Sequence, residues 1–201
     1  MPNDSGLRRC TCGNFLLKNE LITIGEAEET DHSPPHLVPA AELPLAITRA
    51  RSPAIETAAR LDLWQHLNHT YRELYRAHRE TEDAATKEVW EFANPDQRTA
   101  LQKLFKVVRK ARYQPALDRP ITFPVFEPSP EQRENMLALL QLIGSSSTFG
   151  FERVELNREL GRFEEARQNL SSNLEVDSPN LYKLSATLIQ QKQAAPVRYA
   201  P

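Results

Sequence analysis

The sequence predicts an all-α fold of antiparallel helical hairpins with a small β-hairpin segment at its N-terminus. Three observations carry this. First, four prolines directly follow a residue able to cap a helix, at Ser52-Pro53, Asn94-Pro95, Ser129-Pro130 and Ser178-Pro179. Ser and Asn accept a backbone N–H at a helix start, and proline suits the first helical position, where its missing N–H leaves nothing unpaired. Second, apolar residues recur behind these starts at three- and four-residue spacing, the signature of a helix with one buried face. Third, the chain has only 6 Gly in 201 residues, too few for a fold built on tight β-turns.

The N-terminal segment, residues 1–42, departs from the helical pattern. Arg8 to Ile24 contains Gly13-Asn14 and the β-branched run Leu21-Ile-Thr-Ile, which predicts a hairpin. The acidic, proline-bearing stretch Glu26 to Pro39 reads as a linker.

Residues 43–144 read as a helical domain. Ile55, Ala59, Leu63 and Leu67 form the stripe after Ser52, with Ala58 and Trp64 widening it. Two further helices are expected between Thr70 and Phe92, on the weaker stripes Leu74-Tyr75 and Val89-Trp90, with Asn68-His69-Thr70 as a candidate break. Leu101, Leu104, Phe105 and Val108 form the stripe after Asn94. Met136, Leu137, Leu140 and Ile143 form the stripe after Ser129, and Gly144 is the expected stop. Gln stands at the third helical position after both Asn94 and Ser129, the layout of a capping box. Residues 113–128 hold four prolines and predict an extended strap anchored by Phe123 and Phe126.

Residues 145–201 carry the most specific pattern. Phe151, Val154, Leu156 and Leu160 supply one helix face. Leu160-Gly-Arg-Phe-Glu-Glu-Ala166 supplies a turn and a second helix, continued by Leu170 and Leu174. Asp177-Ser-Pro-Asn180 opens a third helix with Leu181, Leu184 and Leu188. Gly161 ends a helix in the left-handed conformation, Phe163 plugs the elbow, and the small Ala166 permits close packing. In Gly161, Phe163, Glu165, Ala166, Leu170, Leu174 and Asp177…Pro179, residues 149–193 resemble a tetratricopeptide repeat. The resemblance implies a helical pair that binds a peptide or partner protein and does no chemistry. Arg153, Asn157 and Arg162 are the candidate polar contacts in its groove.

Composition narrows the function. The net charge of −2 removes any global attraction to nucleic acid or anionic membrane. The most apolar stretch, Met136 to Ile143, is far shorter than the ~20 residues of a membrane span. No signal-peptide pattern opens the chain, so a soluble cytoplasmic protein with reduced thiols is expected. Phosphate-binding and nucleophile-elbow motifs are missing, so no enzymatic activity is expected.

Three constellations could carry chemistry. Cys10-Thr-Cys12-Gly13 resembles half of a zinc knuckle. Zinc takes four ligands, and His32 and His36 would complete a Cys10/Cys12/His32/His36 set. The other reading is a reduced pair on a hairpin, and the one-residue spacing is shorter than zinc sites use. His66, His69 and Glu73 would share one face of a continuous helix and could hold a metal or move a proton. Arg98, Lys106, Arg109 and Lys110 form a basic face after Asn94, suited to phosphates or an acidic partner, or simply to water.

The leading expectation is therefore a non-enzymatic helical interaction protein with a protein or peptide partner. The alternative is a small zinc-binding module fused to helices, used in protein or nucleic-acid recognition.

Overall fold

The computed structural model describes residues 5–21, 35–96, 98, 111–114, 125–170 and 179–197. Among these the chain is mostly helical, with a three-stranded antiparallel sheet near the N-terminus. It divides into two units, residues 1–70 with 125–201, and residues 71–124. The expected boundaries at 42 and 144 both fall inside the first unit.

Strands β1 (Leu7–Arg9) and β2 (Phe15–Leu17) form a hairpin in the segment expected to hold one, in the register Leu7 opposite Leu17 and Arg9 opposite Phe15; of the β-branched run only Leu21 is described, and it lies outside both strands. The hairpin turn spans Cys10 to Asn14: the Asn14 carbonyl accepts from the Cys10 N–H at 2.9 Å and the Cys10 carbonyl from the Gly13 N–H at 2.8 Å. Gly13 adopts a φ of 84°, which a side chain would oppose. A short third strand, β3 (His36–Leu37), pairs antiparallel with the other edge of β1. Its position corrects the expectation of a linker there: residues 36 and 37 add a sheet edge.

Helix α1 (Leu43–Thr48) leads into α2 (Pro53–Ala93), a single helix of 41 residues. That corrects the expectation of a break at residues 68–70 followed by two shorter helices. Ser52 begins α2 as expected, its hydroxyl accepting from the Ile55 N–H at 3.3 Å. Leu7, Phe15 and Leu17 of the sheet, Leu43 and Ala46 of α1, and Ile55, Ala58, Ala59 and Leu63 of α2 form one core cluster. The period-two face of the hairpin thus meets the period-3.6 face of a helix.

Helix α3 (Pro130–Ile143) begins with the expected capping box. The Ser129 hydroxyl accepts from the Gln132 N–H, and the Gln132 side-chain oxygen accepts from the Ser129 N–H at 2.8 Å. Gly144 closes the helix at a φ of 50°. Phe126 is buried just ahead of α3, as expected of an anchor; Phe123 lies outside the described residues. Helix α4 (Gly150–Glu159) turns at Gly161 into α5 (Phe163–Asn169), and α6 (Pro179–Gln190) packs against both.

The ends of α4 and α6 share one device. At α4, the Arg162 N–H reaches the Asn157 carbonyl at 2.8 Å and the Gly161 N–H reaches Arg158 at 2.9 Å. At α6, the Gln193 N–H reaches Leu188 at 2.9 Å and the Lys192 N–H reaches Ile189 at 3.1 Å. Both are Schellman closures, which satisfy terminal carbonyls by placing one residue at positive φ. Gly161 does so at no steric cost, while Lys192 adopts a φ of 53° with a full side chain.

Two further clusters complete the first unit. Trp64 packs with Met136, Leu139 and Ile143 of α3 and with Leu156 and Leu160. Val154, Ala166 and Ile189 join α4, α5 and α6, with Phe163 and Leu170 against them.

Candidate functional site

Helix α4 is buried from Val154 to Glu159, including Asn157 and three charged residues, Glu155, Arg158 and Glu159, that sequence reasoning did not single out. Arg158 has no exposed surface. Its guanidinium grips the Glu155 carboxylate through Nη2 at 2.6 Å and Nε at 3.2 Å. Its Nη1 donates to the carbonyls of Gln193 at 2.6 Å and Ala195 at 2.8 Å, which the turn at Lys192 delivers. Buried charge costs several kcal/mol unless it is paired and hydrogen-bonded, and here it is both. Glu159 accepts from the Trp64 indole and from the Asn68 amide, each at 2.7 Å. Gln132 donates to Asn68 Oδ1 at 3.2 Å and to the Leu67 carbonyl at 3.1 Å. This network ties α2, α3 and α4 together. Its hydrogen bonds join helix to helix and side chain to backbone, so it reads as architecture.

The expected contact residues of the repeat-like pair sit in different environments. Arg153 caps the end of α3, donating to the carbonyls of Gly144 at 2.8 Å and Ser146 at 3.2 Å. Asn157 is buried, and its amide donates to the Arg153 carbonyl at 2.8 Å. Arg162 is exposed.

Among the described residues, neither metal expectation finds a full ligand set. Among the described residues, no group of three or more His, Cys, Asp or Glu could hold a metal ion. Cys10 and Cys12 lie in the hairpin turn, between the two strands. His36 sits on β3 and is exposed; His32 lies outside the described residues. His66 and His69 are both exposed on α2, and the Glu73 carboxylate pairs with Arg76. Of the basic face, only Arg98 is described. Asp96 clamps it with two oxygens, at 2.8 and 2.9 Å, and that hydrogen bonding raises the guanidinium further above its ordinary value. Lys106, Arg109 and Lys110, like Gln97 of the second expected capping box, lie outside the described residues.

The second unit holds the surface that is open. From Tyr71 to Ala93, α2 contains no buried residue. Local pairs support its helicity, and Trp90 lies against Tyr113 with ring centroids 6.1 Å apart. Pairs at three- and four-residue spacing join Glu73 with Arg76, Arg76 with Glu80, His78 with Glu82 and Arg79 with Glu82. Tyr71 and Tyr75 stack with centroids 6.3 Å apart, and partial burial, then the neighbouring Tyr75, push the Tyr71 phenol up from its ordinary value. Asn94 closes the helix by donating its amide to the Trp90 carbonyl at 2.8 Å.

Leu74, Val89 and Phe92 are 58%, 70% and 92% exposed. Eighteen residues make five helical turns, so Leu74 and Phe92 share one side about 27 Å apart, with Val89 about 60° away. Ala77, Thr81 and Ala85, all exposed, fill the interval along the same side. Arg76, Arg79, Asp83 and Lys87 occupy the opposite side. The result is a stripe about five turns long that carries Leu74, Val89 and Phe92 among small residues, with His78 and Glu88 about 40° to either side of its midline. Its spacing was legible in the sequence; that it stays uncovered was not.

Among the described residues, no helix is long and apolar enough to cross a membrane. No protein-family model matches the chain, and no curated protein or solved structure is detectably similar to it.

Proposed function

We propose that this chain is a non-enzymatic helical interaction protein whose partner, a protein or peptide, docks along the stripe Leu74–Phe92 of α2. The observation that carries this reading is the exposure of Leu74, Val89 and Phe92 on one side of a helix whose other side is charged. Large apolar side chains aligned over several turns suit the facing apolar side of another helix. The repeat-like pair, with Gly161 at positive φ and Ala166 fully buried at the helix crossing, supports a second contact surface around the exposed Arg162. The inward position of Asn157 moves the main surface away from the groove first expected there.

The test is site-specific photocrosslinking in extract from the source cells. A photoreactive phenylalanine analogue at position 89 should yield one discrete heavier species, and the same analogue at position 87 on the opposite side should not. Loss of that species in Leu74→Glu plus Phe92→Glu should follow. Equal crosslinking at the two positions, or none at 89, would overturn the proposal.

A further inference from the structure

The turn that joins β1 to β2 is built around two sulfurs. The Cys12 N–H points at the Cys10 sulfur at 3.3 Å, and the Asn14 side-chain amide donates to the Cys12 sulfur at 3.3 Å. Arg51 fixes which way Asn14 faces. Its Nη2 donates to Asn14 Oδ1 at 2.7 Å, which leaves the amide NH₂ for Cys12. Cys12 is exposed and Cys10 half-buried. Cys12, Gly13, Asn14 and Phe15 line a cleft of about 400 Å³ together with Arg49 and Arg51, and among the described residues its lining holds no Asp or Glu. Two arginines therefore share a cleft with one accessible thiol.

That arrangement suits an anion. A thiolate is the nucleophilic form of cysteine, and nearby cations and hydrogen-bond donors favour it. The hydrogen bond from the Cys10 thiol, then that from the Asn14 backbone, hold the Cys12 thiol below its ordinary value. The same positive lining disfavours a bound metal cation and attracts carboxylates.

We propose that Cys12 is a modification site for small anionic disulfides, with Arg49 and Arg51 docking their carboxylates and Asn14 positioning the Cys12 sulfur. The Cys12 thiolate attacks one sulfur of the incoming disulfide. A Cys12–sulfur bond forms as the original S–S bond breaks, and the departing thiolate takes the electron pair and then a proton from water. Cys12 is oxidised to a mixed disulfide, and half of the small disulfide is reduced to a thiol.

The full chain is treated with glutathione disulfide, which is anionic, and with cystamine, which is cationic, and followed by intact mass and peptide mapping. A single adduct on Cys12 is expected, forming about ten-fold faster with glutathione disulfide once the intrinsic reactivity of each probe toward free cysteine is divided out. Arg49→Gln plus Arg51→Gln should remove that preference, as should raised salt. Both arginines are exposed, so the variant keeps the fold, and its circular dichroism checks this. Asn14→Ala should slow both probes alike. Equal normalised rates for the two probes in the unaltered chain, or an adduct divided evenly between Cys10 and Cys12, would overturn the proposal.

Discussion

The two halves of α2 share one backbone and almost nothing else. From Pro53 to Asn68 the helix buries Ile55, Thr57, Ala58, Ala59, Leu63, Trp64 and Asn68; from Tyr71 to Ala93 it buries none. The first half is held by tertiary packing against the sheet, α3 and α4. The second carries ion pairs along its own surface, helix-favouring residues such as Ala84, Ala85 and Glu88, and a ring contact from Trp90 to Tyr113. The comparison teaches that helicity and burial are separable. A helix that keeps its geometry without covering its apolar side has that side available to another chain.

Substitutions should sort by half. Trp64→Ala removes a buried indole and leaves Glu159 short of a donor, so it should destabilise the first unit by about 3–5 kcal/mol in urea unfolding. Leu63→Ala should cost about 2–5 kcal/mol, whereas Leu74→Ala, the same change eleven residues along the helix, should stay within about 0.5 kcal/mol. Equal costs for the two leucines would erase the distinction between the halves.

How far the sequence shows this division depends on the range of the interaction. Ser129 and Gln132 were legible as a capping box because both partners lie within one turn. Gly161 was legible because a helix stop is local chemistry. Asn68 was misread as part of a break because Asn is a poor helix former. Its amide in fact meets Glu159, 91 residues away, and such a partner leaves no trace in local spacing. For the same reason nothing in local spacing marked Glu155 and Arg158 as buried. Their burial depends on Ser185, Gln193 and Ala195 arriving from the C-terminal segment. Strand β3 has two residues and so no periodicity to read. Of the candidate sites, the spacing of Leu74, Val89 and Phe92 was visible, but exposure is a property of the whole fold.

Smaller effects sharpen the comparison further. Arg76→Ala removes a cation flanked by Glu73 and Glu80, and should reduce helicity in the second half with a cost of about 0.3–0.5 kcal/mol per pair. Circular dichroism should show that this effect fades as salt rises, whereas the effect of Trp64→Ala should not change. In the first unit, burial holds the Glu152 carboxyl above its usual range. The folded chain therefore binds that proton more tightly than the unfolded chain. The associated stability is full below the unfolded value and is lost as pH rises through the folded one. Glu152→Gln should therefore be more stable than the unaltered chain near pH ~7, and this advantage should vanish near pH ~3.5, where both forms are neutral. A loss of stability at neutral pH would contradict the role of burial.

The most direct measurement is amide hydrogen exchange along α2 in the isolated protein, read by mass spectrometry of overlapping peptides. Residues 53–68 should exchange only with global unfolding of the first unit, and residues 73–92 should exchange orders of magnitude faster through local opening. Uniform protection from Pro53 to Ala93 would contradict the account, because it would mean that the stripe Leu74–Phe92 is already covered.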